Sequence, residues 1–139
     1  MPYATQADLE TRFGSAELAQ LTDRISGSVI DAAVVGRALA DAEAEIDGYL
    51  AARYQLPLAS APAVLGRITC DIARYYIYDD RVIEAVKERY KDAVRLLKSM
   101  ASGEVMLDAA VVPAPAASSM SVSHSAPARI FNADSLAGY

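Results

Sequence analysis

From residue 31 to residue 103 apolar side chains recur at steps of three and four, the spacing that gathers them on one face of an α-helix. Val35, Leu39, Ala42, Ile46 and Tyr49/Leu50 form the first long stripe, with Arg37, Asp41 and Glu45 on the opposite face. Asp31 stands where an N-cap carboxylate accepts from the first unpaired amides. This helix is predicted to end near Arg53 or Tyr54, before Leu56-Pro57, because proline biases the preceding residue away from helical dihedrals. Pro62 then opens the next helix from its favoured first-turn position, with Leu65, Ile68, Ile72 and Tyr75/Tyr76 on one stripe. Asp79-Asp80 reads as the cap of a further helix whose stripe is Ile83, Val86, Tyr90, Val94, Leu97 and Met100. Gly103 is placed to end it in a left-handed turn, with Arg95 and Lys98 toward the negative end of its dipole.

Upstream, Thr5 and Asp8 have the spacing of a capping box and predict a short helix through Leu9 and Phe13 that Gly14 ends. Ser15 is expected to cap a second short turn through Leu18 and Leu21, and residues 22–28 read as loop. A short extended piece is expected at residues 104–107, but nothing alternates as a sizeable sheet requires, and no internal repeat appears. The fold class is therefore all-α: a small antiparallel bundle of about four helices plus short N-terminal helical turns, with an extended C-terminal tail.

The division falls at Gly103, with a helical domain at 1–103 and a tail at 104–139 that is too poor in large apolar residues to fold alone. Pro113-Ala114-Pro115-Ala116-Ala117-Ser118-Ser119 carries no charge and favours extended backbone. Beyond it Arg129, Ile130, Phe131, Leu136 and Tyr139 gather as anchors, which predicts docking on a neighbouring subunit or partner, self-docking being the other outcome. Leu56, Pro57 and Leu58 in the inter-helix loop are the second candidate contact, unless that loop is a plain connector packed on its own bundle.

Composition sharpens this picture. With Trp absent and Phe limited to Phe13 and Phe131, close packing through Ala is expected, with Tyr as the large residue. Cys70 is the one cysteine and cannot form an internal disulfide. The start of the chain has no basic segment followed by an apolar one, and no apolar run is long enough to cross a bilayer, so a non-exported protein away from membranes is expected. Net charge is −5, unevenly placed: nine acids face four bases up to Gly66, whereas eight bases face six acids from Arg67 to Gly103. Such a split either lets one subunit's acidic face meet a neighbour's basic face or is neutralised inside one bundle.

Candidate chemistry is sparse. His124 lies in the Ser-rich tail, where a rigid catalytic triad cannot be built, and Cys70 sits between Ile68 and Ile72, the place of a small buried thiol. Glu43/Asp47 and Asp41/Glu45 stand one turn apart, but without helix histidines they read as a solvated acidic face. No glycine-rich phosphate loop occurs. The basic stretch from Lys87 to Lys98 is diluted by Glu88 and Asp92, which form helix-compatible pairs with Lys91 and Arg95, so sequence-specific DNA binding is not expected. Tyr75, Tyr76 and Tyr78 are divided between core and surface. No enzyme activity, cofactor or metal is expected.

Met1-Pro2-Tyr3-Ala4-Thr5-Gln6-Ala7-Asp8-Leu9, Arg12-Phe13-Gly14, Glu17-Leu18, Leu21-Thr22-Asp23 and above all Ile46-Asp47-Gly48-Tyr49-Leu50-Ala51-Ala52-Arg53-Tyr54-Gln55-Leu56-Pro57-Leu58 resemble a family of small structural proteins of Mu-like phages and prophages. The likeness continues through Asp71-Ile72-Ala73-Arg74-Tyr75 and Arg89-Tyr90-Lys91 and covers most of residues 1–107; residues 109–125 lie outside it. That family is similar to the head-tail connector, or adaptor, proteins of long-tailed phages. The resemblance implies a virion protein of the neck, present in the host cytoplasm before assembly. It implies a homo-oligomeric ring of about twelve subunits below the portal protein, joined to a downstream neck or tail-completion protein and extending the channel through which DNA passes without sequence-specific binding. The alternative is a soluble helical protein-binding module or regulator acting through its C-terminal tail, and oligomer size separates the two.

Overall fold

A computed structural model describes residues 2–113 of the protein. It is all-α, with helices α1 (Gln6–Phe13), α2 (Ser15–Thr22), α3 (Ala32–Leu50), α4 (Ala63–Tyr78) and α5 (Glu84–Ser102), and a 3-10 turn at Asp79–Arg81. Among the described residues the β-structure is one isolated antiparallel bridge, Tyr54 to Val111. α3, α4 and α5 form an antiparallel three-helix bundle, and α1 and α2 close one side of it against α4. Val35, Ala42, Ile46 and Leu50 of α3 meet Leu65, Ile68 and Ile72 of α4 and Leu97 and Met100 of α5, with Leu9 and Leu18 supplied by the short helices. All of these are removed from solvent almost completely.

The helix starts follow the caps read from sequence at two places. Thr5 and Asp8 form a reciprocal capping box, and the Asp31 carboxylate accepts from the amides of Ala33 (2.9 Å) and Val34 (3.3 Å). Elsewhere the boundaries move. Ser15 lies inside α2, whose N-cap position is Gly14. α3 stops at Leu50 because residues 51–53 tighten into a turn closed by the Tyr54 amide on the Leu50 carbonyl at 2.8 Å. Pro62 is the N-cap of α4 rather than its first residue. Asp79-Asp80 do not cap α5; they form the 3-10 turn, and Ile83 takes the N-cap place while half exposed. With extended backbone (φ −85°, ψ 154°) Ile83 lies off the helical face, and the buried stripe of α5 is Val86, Ala93, Leu97 and Met100, with Ala93 in the place expected for Val94.

The body also reaches past Gly103. At a φ of +86° Gly103 makes the left-handed turn, and a side chain there would lie 2.5 Å from the Arg53 guanidinium stacked on it. The chain then returns along residues 53–55. The Gln55 amide donates to the Ala110 carbonyl (2.9 Å), the Val112 amide to the Arg53 carbonyl (2.8 Å), and the Leu107 amide to the Tyr54 hydroxyl (3.0 Å). Leu107 is buried in the same core. Residues 104–112 thus belong to the helical body, and the boundary expected at 103/104 lies beyond them; the short extended contact is at Val111 rather than at 104–107.

Candidate interaction surfaces

The acidic face of α3 is not simply solvated. Glu43 accepts the Tyr3 amide at 2.9 Å and Asp47 accepts the Tyr3 hydroxyl at 2.5 Å, so the pair one turn apart clamps the start of the chain. Glu45 accepts the hydroxyls of Tyr76 (2.6 Å) and Tyr90 (3.0 Å), tying α3 to α4 and α5. Tyr75 stacks on Tyr90 with ring centroids 4.1 Å apart. Burial, the Glu45 hydrogen bond and its charge together raise Tyr76 far above the ordinary tyrosine range and Tyr90 to about 12. Glu17 accepts from Arg74 (Nη2 at 2.6 Å) and from the Tyr78 hydroxyl (2.8 Å), and Arg74 lies 4.3 Å over the Phe13 ring. The Glu17–Arg74 pair neutralises part of the charge split inside one subunit, whereas Arg24–Asp79 joins the minority charge of each half. The expected Glu88–Lys91 and Asp92–Arg95 pairs form on the exposed face of α5.

Of the loop residues singled out by sequence, Pro57 is exposed, Leu56 is partly buried against the core, and Leu58, 7% exposed, belongs to the core itself. The Leu56-Pro57 peptide is cis. Leu58 therefore holds this loop to its own bundle, and Pro57 is the exposed residue of the three. Arg129, Ile130, Phe131, Leu136 and Tyr139 lie outside the described residues. Cys70 is buried, and that burial pushes its thiol up to about 11, the condition of an inert packing residue. No group of three or more His, Cys, Asp or Glu is gathered as a metal site among the described residues, and none of the described helices is long and apolar enough to cross a membrane.

Two surfaces went unread in the sequence. The first is the α2–α3 loop. Asp23 accepts from the amides of Ile25 (3.1 Å), Ser26 (3.0 Å) and Ser28 (3.4 Å) and from the Ser26 hydroxyl, and these bonds hold its carboxyl well below the usual range. At the base of the loop the Asp31 amide donates to the Thr22 hydroxyl at 3.0 Å. On this fixed frame Ile25 is 100% exposed and Val29 67%. An open groove of about 820 Å³ runs beside it, with Val34, Ala38 and Ile77 among its walls and Asp31, Asp41 and Asp79 facing Arg24 and Arg37. Two isoleucine and valine side chains in a Ser/Gly-rich loop were the signal available in the sequence.

The second surface is a cleft of about 390 Å³ where α1, α4 and α5 meet, with Phe13, Ile68 and Ala93 among its walls and Arg12, Arg67 and Arg89 around it. Asp71 lies within, 3.7 Å from Arg89, and its burial raises the carboxyl against the pull of the surrounding arginines. Arg12 and Arg67 form no ion pair among the described residues.

A family model described as "Bacteriophage Mu, Gp36" matches residues 3–124. The chain belongs to this phage Mu family. It is 39% identical over 105 residues to the Mu-like prophage FluMu protein gp36 of Haemophilus influenzae, a match covering 76% of this chain and 74% of that relative. It is 41% identical over 105 residues to Gene product J of Escherichia phage Mu, covering 75% of this chain and 74% of that relative. The Mu-like resemblance read from the residues is therefore correct, and the family reaches further into the tail than the residue motifs indicated. Residues 125–139, with all five tail anchors, fall outside the match.

Proposed function

We propose that the protein is a virion structural subunit of a Mu-like phage: a head-tail connector that assembles as a ring below the portal, extends the DNA channel and joins head to tail. The observation that carries this reading is a small helical body of a phage Mu family that displays apolar side chains on internally braced segments. Ile25 and Val29 stand on the Asp23-held loop, and Met106, Val111 and Val112 on the segment paired to residues 53–55. Large apolar side chains held outward on fixed backbone are what an assembling subunit offers its neighbours.

The portal protein, a downstream neck protein and further copies of this chain are the partners, and the virion neck is the location after assembly from the host cytoplasm. The protein is not an enzyme and needs no cofactor in this role. DNA passes without sequence-specific contact, since a chain of net charge −5 repels phosphate more than it holds it. Light scattering and negative-stain imaging of the full chain, alone and mixed with the portal protein of the same phage, test the proposal. Rings in either sample are the expected result. A monomer that ignores the portal would replace this reading with that of a helical binding module.

A further inference from the structure

The exposed α2–α3 loop and the arginine-rimmed cleft share no lining residue and so lie on different faces of the molecule. The loop is convex and apolar at its tip, and its shape is set within the subunit by Asp23, Thr22 and Asp31, which removes most of the ordering cost of binding. The groove beside it sets four carboxylates, Asp23, Asp31, Asp41 and Asp79, against two guanidiniums, Arg24, paired with Asp79, and Arg37; Asp31 and Asp41 form no ion pair among the described residues. The cleft is its counterpart: concave, with Phe13 as its accessible apolar wall above the buried Ile68 and Ala93, and edged by three guanidiniums, two of them without ion pairs among the described residues, against the carboxylates of Asp71 and Asp92, which pair with Arg89 and Arg95.

We infer that the α2–α3 loop of one copy seats in the α1–α4–α5 cleft of a second copy, with Ile25 against Phe13 and the loop's flanking carboxylates meeting Arg12 and Arg67. The inference rests on the connector reading and names the lateral contact of its ring. Shape and charge match between two faces of one molecule, and a contact that joins different faces is heterologous, the kind that repeats around a ring. A nucleic-acid duplex is the wrong occupant: it offers no mate for Ile25 and is too broad to enter a cleft of about 390 Å³.

Full-length Ile25→Cys and Arg67→Cys proteins, purified separately and mixed under mild oxidation with and without the portal protein, test the contact. Cys70 is buried and does not compete, and both substituted sites are exposed, so circular dichroism is expected to be unchanged. The expected product is a covalent dimer holding one copy of each variant. Ile25→Asp or Arg67→Glu, each in the native background, is expected to weaken self-association about tenfold or more, the scale of a central interface residue. Self-linked Ile25→Cys dimers without the mixed species would overturn the contact in favour of a loop-to-loop pairing. Wild-type rings whose assembly survives Ile25→Asp and Arg67→Glu would also overturn it, while leaving the connector reading in place. A wild-type chain that stays monomeric with and without the portal protein would overturn both.

Discussion

Two connections bracket α3 and place their apolar residues oppositely. Residues 51–62 turn Tyr54 and Leu58 inward until they are 1% and 7% exposed, whereas residues 23–31 hold Ile25 and Val29 in solvent. The difference lies in what each backbone finds beside it. The first connection runs along the returning segment 104–112 and exchanges hydrogen bonds with it, so its side chains have a wall to pack on. The second satisfies its amides locally on Asp23 and projects from the bundle. An inward loop of this kind contributes stability, and an outward one of the same apolar character is available for recognition.

The largest expected effect tests the inward connection. Tyr54→Ala removes a fully buried ring and the acceptor of the Leu107 amide, and urea unfolding is expected to show a loss of about 3–5 kcal/mol. A loss below about 1 kcal/mol would mean that residues 104–112 are not fastened there. Gly103→Ala comes next, at about 1–3 kcal/mol, because it combines an unfavourable φ with a clash on Arg53; Arg53→Ala in the same chain should recover the part due to the clash. Asp31→Ala, which removes the α3 cap at the base of the outward loop, is expected to cost about 1 kcal/mol by the same measurement. Ile25→Ala should change monomer stability by less than about 0.5 kcal/mol, since nothing covers that side chain within the subunit. A larger loss would place Ile25 in the fold and remove it from recognition.

Titration separates the helical bundle from the outward loop at opposite ends of the pH range. Tyr76 and Tyr90 keep their protons in the folded state at a pH where the unfolded chain has lost them. Their contribution is therefore complete below pH 10.0 and falls as pH rises toward about 12, which absorbance of tyrosinate alongside a thermal melt will follow. Asp23 is the reverse case. Its folded carboxyl stays ionised below the ordinary value of 3.8, so the contribution of the loop frame is present above that value and is lost as pH falls further. Asp23→Ala should abolish the acid limb of the loop's amide exchange and leave the alkaline limb of the bundle untouched.

Much of the bundle was legible because its signals are local. Thr5 with Asp8, Asp31 and Gly103 act within a turn of their own positions, and each performs the role that its spacing indicated. The stripes of α3 and α4 were visible for the same reason, since period fixes a face whatever the face packs against. Sequence failed where two elements compete for a residue. Ile83 looked like the first core position of α5 and is half exposed because the 3-10 turn before it leaves it as an extended N-cap residue outside the helical face. Glu43 and Asp47 looked solvated and instead hold Tyr3, a residue forty positions away in the chain.

The amino-acid sequence by itself determined an all-α chain, the caps at Thr5, Asp31 and Gly103 and its kinship with phage Mu proteins, because periodicity, capping and residue motifs are properties of neighbours along the chain. Tertiary structure alone decided which apolar loop is core and which is surface, that residues 104–112 fold back onto the body, and that Arg12, Arg67 and Arg89 from three helices edge one cleft. Those outcomes depend on the relative placement of segments distant in sequence, and no local pattern encodes the distance between them.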